Sequence, residues 1–316
     1  MSELWPVVAI MGPTASGKSG LALELAGLFK GEIISADSAQ VYAPLEIGVA
    51  KPSPLELAQV VHHGVGQLGL EENFSLAAFI TEAQRLIPAL WRRGQLPLVV
   101  GGTGLYVRGL LEGYLLEEAP PDEGLRASLN SQPLELLLSR VASLDPATYR
   151  RLDRRNKRRV TRSLELILQR GAPLVDSPRR PPPYAVLKLA LRWEREALYK
   201  RIDERLEAML ERGWLQEVEG LVRAGWAERL QELRILGYPQ LIEVVLGRRT
   251  LEEARQEIKF ATHRYAKRQE TWLRREPGVH WLEASDAPLE RAQSLVAQWL
   301  ESLPAELQER RGAGPV

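Results

Sequence analysis

The chain has 316 residues, with 42 Lys and Arg against 41 Asp and Glu, four histidines and no cysteine. This length predicts two domains, with a core large enough to fold without disulfides or a structural metal. The lack of cysteine excludes disulfide bridges, a cysteine nucleophile and cysteine-ligated zinc. No apolar run is long enough to span a membrane and no signal peptide is evident, so we expect a cytoplasmic protein without membrane association.

Strands and helices alternate over the first hundred residues. Apolar runs predict strands at 5–11, 32–36 and 96–100, and helical periodicity predicts helices at 17–30 and 79–93. This order predicts an α/β fold built on a parallel sheet with right-handed crossovers. Ligands of such sheets bind outside the carboxyl ends of the strands.

The loop after the first predicted strand reads GPTASGKS and matches G-x-x-x-x-G-K-[ST] in full. In such loops, backbone N–H groups and a helix N-terminus bind phosphate oxygens. We expect Lys18 to neutralise the outer phosphate and Ser19 to bind Mg²⁺ held by the same phosphates. The predicted phosphate-binding residues are Gly12, Pro13, Thr14, Ala15, Ser16, Gly17, Lys18 and Ser19. The motif predicts a di- or triphosphate but not the molecule that carries it.

Two further segments, DSAQVY at 37–42 and GGTGLY at 101–106, follow the second and third predicted strands. Asp37 can bind Mg²⁺ through water or accept a proton from an incoming nucleophile. Gln40 carries amide groups suited to reading a base edge, and Thr103 supplies a hydroxyl. The alternatives are a helix or turn cap at Asp37 and an ordinary strand-to-helix turn at GGTGLY.

A basic helical segment interrupts the alternation. Eight cations lie between residues 150 and 162, against one acid, which indicates a local surface for a polyanion. Strands are predicted again at 186–193 and 279–282. We therefore predict a P-loop core at 1–112 and 186–303, an inserted all-helical domain at 113–185 and a flexible tail at 304–316. A second basic stretch, at 264–275, contains Tyr265 and Trp272, for which helix packing is the favoured role.

GPTASGKS, DSAQVY and GGTGLY in this order resemble the tRNA dimethylallyltransferase family, also called tRNA isopentenyltransferases. The resemblance extends through AKPS at 50–53, KRRVTRSLEL at 157–166, LYKRIDERLEAML at 198–210, LGYPQL at 236–241 and AKRQETWLR at 266–274. Eukaryotic members often carry a C-terminal zinc finger, which the lack of cysteine excludes, so the resemblance is to the bacterial form. Two departures are HHGVGQLG, so that no role is carried onto His62 or His63, and Pro239, where the family usually has a charged residue.

The resemblance implies transfer of a dimethylallyl group from dimethylallyl diphosphate to the N6 amine of the adenosine just 3′ of a tRNA anticodon. The implied catalytic residues are Asp37 as general base, Thr103 beside the base, and Arg205 on the diphosphate. The implied tRNA contacts are Asp37, Ser38, Ala39, Gln40, Thr103, Arg126, Arg158, Arg159, Val160, Thr161 and Arg162. The implied partners are the donor and the tRNA anticodon arm, gripped by the helical domain, and we expect the enzyme to be a monomer.

Three other functions remain open on the sequence. A small-molecule or nucleotide kinase shares the phosphate loop, so ATP binding is an alternative, but a kinase does not account for DSAQVY, GGTGLY and the basic insert together. An adenylate isopentenyltransferase would act on a mononucleotide, for which the basic insert is unnecessary. A nucleotide-switched RNA-binding module would lack alkyl-transfer chemistry.

Overall fold

The computed structural model describes residues 4–113, 122–174 and 183–313. The chain divides into two compact units, which we call the core unit and the helical unit. The core unit comprises Met1–Glu112 and Pro182–Val316, and the helical unit comprises Gly113–Pro181.

A six-stranded, all-parallel sheet forms the centre of the core unit, in the order β3-β2-β4-β1-β5-β6. Its strands are β1 (Trp5–Met11), β2 (Gly31–Ser35), β3 (His62–His63), β4 (Leu96–Gly101), β5 (Tyr184–Arg192) and β6 (Val279–Glu283). The predicted α/β fold with a parallel sheet is confirmed. Strand β1 is buried along its whole length, which explains why it reads as an uninterrupted apolar run.

Two strands differ from the sequence prediction. Strand β3 was not predicted because it has two residues and no apolar run, and it exists through pairing of His62 with Ile33. Strand β5 begins at Tyr184, two residues before the predicted resumption of the core, because Tyr184 pairs in register with Trp5.

The helices of the core unit lie in two stretches of the chain, before and after the helical unit. The first four are α1 (Lys18–Phe29), α2 (Pro54–Gln59), α3 (Leu76–Arg92) and α4 (Gly104–Leu111). After the helical unit come α9 (Arg195–Glu211), α10 (Trp214–Arg223), α11 (Ala227–Leu233), α12 (Tyr238–Val245), α13 (Leu251–Leu273), α14 (Pro288–Ser302) and α15 (Ala305–Glu309). Helix α3 begins three residues earlier than predicted because the Ser75 side chain accepts a hydrogen bond from Ala78 N–H and caps it.

A second apolar core joins the segment after β2 to helices α9, α10, α12 and α13. Trp214 is buried at its centre, in edge contact with the Tyr238 ring. A Cβ at Gly48 or at Gly237 would collide with the Trp214 indole. This close approach fixes the segment that carries Gly48 against α10 and α12.

The described part of the helical unit, residues 122–174, contains α5 (Glu123–Asn130), α6 (Leu134–Leu144), α7 (Pro146–Arg151) and α8 (Lys157–Arg170). Its own apolar core includes Leu129, Leu137, Val141, Val160, Leu164 and Ile167. Asn156 is the N-cap of helix α8, where its side chain accepts a hydrogen bond from Arg159 N–H, and Gly171 follows the helix in a left-handed conformation.

The predicted flexible tail is corrected by the structure over residues 304–313. Helix α15 buries Leu307, and the carbonyl of Leu307 accepts a hydrogen bond from the Trp91 indole at 2.9 Å. The Arg311 guanidinium donates to the carbonyl of Phe29 at 3.0 Å. The position of the segment at the chain terminus predicted mobility, but these contacts dock it on α1 and α3; residues 314–316 lie outside the described residues.

Within the described part of the chain, no helix is both long and apolar enough to cross a lipid bilayer.

Candidate active site

A cavity of about 1000 Å³ opens in the core unit at the carboxyl ends of β1, β2 and β4. Parallel strands bring the loops that follow them to one edge of the sheet, so the GPTASGKS and DSAQVY segments and the Gly101–Gly102 pair meet there. Helices α9 and α13 supply the opposite wall. Of the predicted site residues, those lining the cavity are Thr14, Ala15, Gly17, Lys18, Ser19, Asp37, Ser38, Ala39, Gln40 and Arg205.

Side chains from the part of the core unit that follows the helical unit hydrogen-bond to the phosphate loop. The Trp193 indole donates to the carbonyl of Ser16 at 2.9 Å, and Arg201 Nε donates to the carbonyl of Ala15 at 3.0 Å. Ala15 has φ of 62° and Gly17 has φ of 91°. These hydrogen bonds satisfy two carbonyls of the loop, and the start of α1 at Lys18 and Ser19 lines the cavity, where a helix N-terminus can bind an anion.

Lys18 and Arg205 place two cations in this cavity. Burial and the nearby positive charge of Arg205 lower the pKa of Lys18 to about 8, against a smaller opposing effect of Asp37. Burial likewise lowers the pKa of Arg205, partly offset by Asp37. Burial disfavours the charged forms of both side chains, and Arg205 further disfavours that of Lys18, so a bound anion would stabilise both charges.

Cations outnumber acids around the cavity. Among the described residues, its charged lining consists of Lys18, Lys51, Arg201, Arg205, Arg212, Arg234, Arg264 and Arg268, with Asp37 and Glu56 as the acids. The sequence analysis assigned a ligand role to only two of these cations, Lys18 and Arg205. A signal was present in the sequence, since Arg201, Arg205 and Arg212 are spaced by four and seven residues and so share one face of α9 and its end.

Asp37 is half-buried directly after β2, and its carboxylate accepts a hydrogen bond from Ala39 N–H at 2.8 Å. The turn cap considered as an alternative is therefore present, but it uses one oxygen of the carboxylate. The other oxygen remains available to a ligand in the cavity that Asp37 lines. Ser38 is exposed and Ala39 is half-buried on the same rim.

The structure corrects the role expected of Gln40. Its amide oxygen accepts from Ser35 Oγ at 2.9 Å, and its amide nitrogen donates to the carbonyls of Val49 and Ala50 at 3.3 and 3.0 Å. The amide is therefore satisfied by the protein. Gln40 lines the cavity but fixes the Val49–Ala50 backbone instead of offering its amide to a base edge.

Glu217, which the sequence analysis missed, also holds the segment that contains Val49 and Ala50. Its carboxylate accepts from the backbone N–H groups of Glu46 and Ile47, at 3.1 and 2.6 Å, and from the Tyr238 hydroxyl at 2.6 Å. Burial, followed by this carboxylate, raises the pKa of Tyr238. No local sequence signal marks Glu217, because its partners lie far away in the chain.

Thr103 is the N-cap residue of α4 and is half-buried, and its hydroxyl makes no capping bond to the helix. It does not line the cavity itself, whereas Gly101 and Gly102 before it do. Burial raises the pKa of Tyr265, the Asp37 charge raises it further, and hydrogen bonding to Thr103 and Gln269 opposes the rise. Trp272 packs against Gly104, as its favoured packing role predicts.

The predicted tRNA contacts of the helical unit fall into two groups. Arg158 and Arg159 are exposed at the start of α8. Val160 and Thr161 are buried in the helical core, which corrects their assignment as side chains that contact a ligand. Helix periodicity turns them inward, and the family-motif match could not distinguish the two faces.

Arg126 and Arg162 have structural partners. Both form ion pairs with Glu165, which is fully buried, at 2.9 Å each. Hydrogen bonds from these arginines and from Asp122 N–H lower the pKa of Glu165 against the opposing effect of its burial. A buried carboxylate without these partners would be strongly destabilising, so these two cations stabilise the helical unit.

The donor chemistry of the cavity fits Mg²⁺. Within residues 4–113, 122–174 and 183–313, no three His, Asp or Glu side chains cluster closely enough to hold a metal. Mg²⁺, however, commonly takes only one or two protein oxygens together with substrate phosphates and water. Ser19 and Asp37 offer a hydroxyl and a carboxylate in the cavity that also contains Lys18.

The chain is similar to known proteins over most of its length. The sequence model of the IPP transferase family matches residues 40–276. A tRNA dimethylallyltransferase of Roseiflexus castenholzii is 42% identical over 94% of this chain and 99% of its own. A second, from Thermomicrobium roseum, is 42% identical over 90% of this chain and 88% of its own.

Solved structures give the same result. A full-length tRNA isopentenylpyrophosphate transferase from Bacillus halodurans is 34% identical, with a TM-score of 0.70 over 98% of both chains. A eukaryotic dimethylallyltransferase, solved acting on tRNA, is 26% identical, with a TM-score of 0.82 over 95% of this chain and 80% of its own. The chain belongs to the IPP transferase family.

Proposed function

We propose that this enzyme transfers the dimethylallyl group of dimethylallyl diphosphate to the N6 amine of the adenosine 3′ of a tRNA anticodon, releasing diphosphate. The observation that carries the proposal is the composition of one cavity. It combines the phosphate loop and Arg205 with a single carboxylate at the end of β2 and an apolar wall.

The phosphate loop, Lys18 and Arg205 form the site for the diphosphate. Ionisation of an allylic diphosphate places negative charge on the leaving group, and cations fixed before the reaction stabilise that charge where it develops. The lowered pKa values of both cations support this role, because the diphosphate supplies the missing negative charge. Bound Mg²⁺, for which Ser19 would be the protein ligand, would add positive charge beside the leaving group.

Apolar side chains suited to a branched five-carbon group line the same cavity. They are Leu206, Met209, Trp214, Ile235, Leu236 and Ile258. These residues belong to or border the second apolar core, which is rigidly packed around Trp214. A prenyl chain placed there would lie in the same cavity as Lys18 and Arg205.

Asp37 is the residue proposed to accept the proton from the adenosine amine. The exocyclic amine is a weak nucleophile, and a positioned carboxylate assists as its proton leaves. Ser38, Ala39 and Thr103 are proposed to contact the base around it. The adenosine must be removed from its stack to reach this depth, as in other enzymes that act on a base.

The helical unit is proposed as the tRNA-binding domain, with Arg158 and Arg159 on phosphates. Exposed cations in a helix N-terminal turn can position an RNA backbone without reading its sequence. We further propose that the enzyme acts as a monomer in the cytoplasm.

The purified chain should be incubated with labelled dimethylallyl diphosphate and unmodified tRNA, and the tRNA nucleosides analysed by mass spectrometry. We expect adenosine to gain the mass of one dimethylallyl group, and tRNA with guanosine at the position 3′ of the anticodon to remain unmodified. ATP should compete with the donor and never stimulate the reaction. A requirement for ATP, or a phosphorylated product, would establish a kinase instead.

A further inference from the structure

Gln269 connects two loops of the active site that the sequence motifs treat as separate. It lies on α13, is 4% exposed and has both ends of its amide engaged. The amide oxygen accepts from Thr14 N–H in the phosphate loop at 2.8 Å, and the amide nitrogen donates to the carbonyl of Gly102 at 2.9 Å. The orientation of the amide is fixed, because one partner can only donate and the other can only accept.

The surroundings of Gln269 are built around this bridge. A Cβ at Gly102 would collide with the Gln269 amide nitrogen and would also lie 3.0 Å from the carbonyl oxygen of Gly12. Only glycine at this position therefore allows β4, the phosphate loop and α13 to approach so closely. One helical turn earlier on α13, Tyr265 interacts with both Thr103 and Gln269.

In the proposed function, the bridge connects the loop that binds the donor with the loop that binds the acceptor. Thr14 belongs to the loop that would hold the diphosphate, and Gly102 precedes Thr103 on the loop proposed to contact the adenosine. Alkyl transfer requires the reacting atoms to approach within about 3–3.5 Å, and displacement by 1 Å can cost about 10²-fold in rate.

We infer that Gln269 is a positioning residue that sets the distance between the donor loop and the acceptor loop by bridging Thr14 N–H and the Gly102 carbonyl. This inference rests on the proposed function. It assigns Gln269 to the chemical step and not to affinity for either substrate. Because Thr14 N–H is used in the bridge, the phosphate oxygens must be bound by other N–H groups of the loop.

Gln269→Glu is the most informative variant. The ionised side chain can still accept from Thr14 N–H but has no donor for the Gly102 carbonyl. Burial opposite a carbonyl raises the pKa of such a carboxyl. When it is protonated, its O–H can donate to Gly102 and restore the bridge. The titratable and charged groups lining the cavity nearby are Arg264, Tyr265 and Arg268 on α13, Asp37 after β2 and Lys18 on α1, and these are unchanged in both enzymes.

The turnover of Gln269→Glu should therefore be compared with that of wild type between about pH 5.5 and 8.5. This is roughly the range in which a buried carboxyl group is expected to titrate. We expect kcat to fall by about 10²-fold at the upper end, with KM for the donor and for tRNA within about threefold of wild type. The ratio of variant to wild-type kcat should rise as the pH falls. A ratio that is constant with pH, or a loss expressed in KM alone, overturns the inference.

A second measurement does not depend on turnover and so separates this inference from the proposed function. Gln269→Leu removes both hydrogen bonds, and amide hydrogen exchange should then accelerate in the phosphate loop and the Gly101–Gly102 turn. Trp91→Phe is the matched control, because it removes another buried side-chain hydrogen bond of the core unit, to Leu307, away from the cavity. Unchanged exchange in both loops of Gln269→Leu would refute the bridge, even if wild-type enzyme transferred no prenyl group.

Discussion

The positive charge of Arg205, on α9, lowers the pKa of Lys18, at the start of α1. These cations come from distant parts of the chain and line one cavity. Burial of Lys18 is the larger cause, and together the two effects bring its pKa to about 8. The free enzyme thus holds a lysine that is partly deprotonated at mildly alkaline pH.

This pKa predicts proton uptake when a diphosphate binds. An anion beside Lys18 raises its pKa toward its usual value, so near pH 8.5 binding should take up a fraction of a proton at this side chain. Calorimetric titration with inorganic diphosphate, in buffers of different ionisation enthalpy, measures that uptake. Lys18→Met should abolish this component and weaken binding. The same uptake in Lys18→Met would assign it to another group, including the diphosphate itself.

The lowered pKa of Lys18 should also make the stability of the free enzyme depend on pH. The unfolded chain binds a proton at Lys18 up to about pH 10.4, whereas the folded state releases it near pH 8. Stability contributed at this site therefore rises as the pH increases through that window. Urea unfolding at pH 7.5 and 9.5 should show a smaller gain in Lys18→Met than in wild type.

Asp37→Asn should lower the rate of prenyl transfer by about 10²–10⁴-fold, the range for loss of a positioned general base. The asparagine oxygen can still accept from Ala39 N–H, so the turn after β2 should be kept. Single-turnover kinetics with pre-bound donor measure the chemical step, and donor affinity should change little. A rate within a few-fold of wild type would remove Asp37 from the role of base.

Arg158→Ala with Arg159→Ala should weaken tRNA binding and reduce its salt dependence, by up to about 0.7–0.9 in slope for each phosphate that the protein no longer neutralises. Both side chains are exposed, so the fold of the helical unit should be unaffected. The contrasting variant is Arg162→Ala, which removes a partner of buried Glu165 and should lower stability. A salt slope equal to that of wild type in the double variant would mean that these arginines are only solvated.

Leu307→Ala tests whether the C-terminal segment is part of the folded core unit. Leu307 is 5% exposed, and truncation of a buried leucine usually costs about 2–5 kcal/mol of unfolding free energy. The neighbouring exposed residue provides the control, Glu306→Ala, for which little change is expected. Urea denaturation compares the two variants. Equal stabilities would contradict the docking of the segment and support the flexible tail predicted from the sequence.

The sequence alone determined the parallel α/β fold and the edge of the sheet at which the cavity opens. Buried parallel strands read as continuous apolar runs, and the phosphate loop must follow the first of them, so β1, β2 and β4 were predictable from local pattern. Asp37 and the Gly101–Gly102 pair were identified for the same reason: each lies at the carboxyl end of a strand, where the cavity opens. These features depend on residues that are close together in the chain.

Only the tertiary structure decided how the side chains are used. The amide of Gln40 binds the protein's own backbone, Val160 faces the helical core, and Arg162 pairs with a carboxylate that is shielded from solvent. Gln269 lies in the AKRQETWLR segment, which indicated only the family and no role for this side chain, yet it joins Thr14 to Gly102 across 255 and 167 residues of sequence. A buried polar group must find a partner wherever the fold brings one, and partners so distant leave no periodicity or spacing in the sequence.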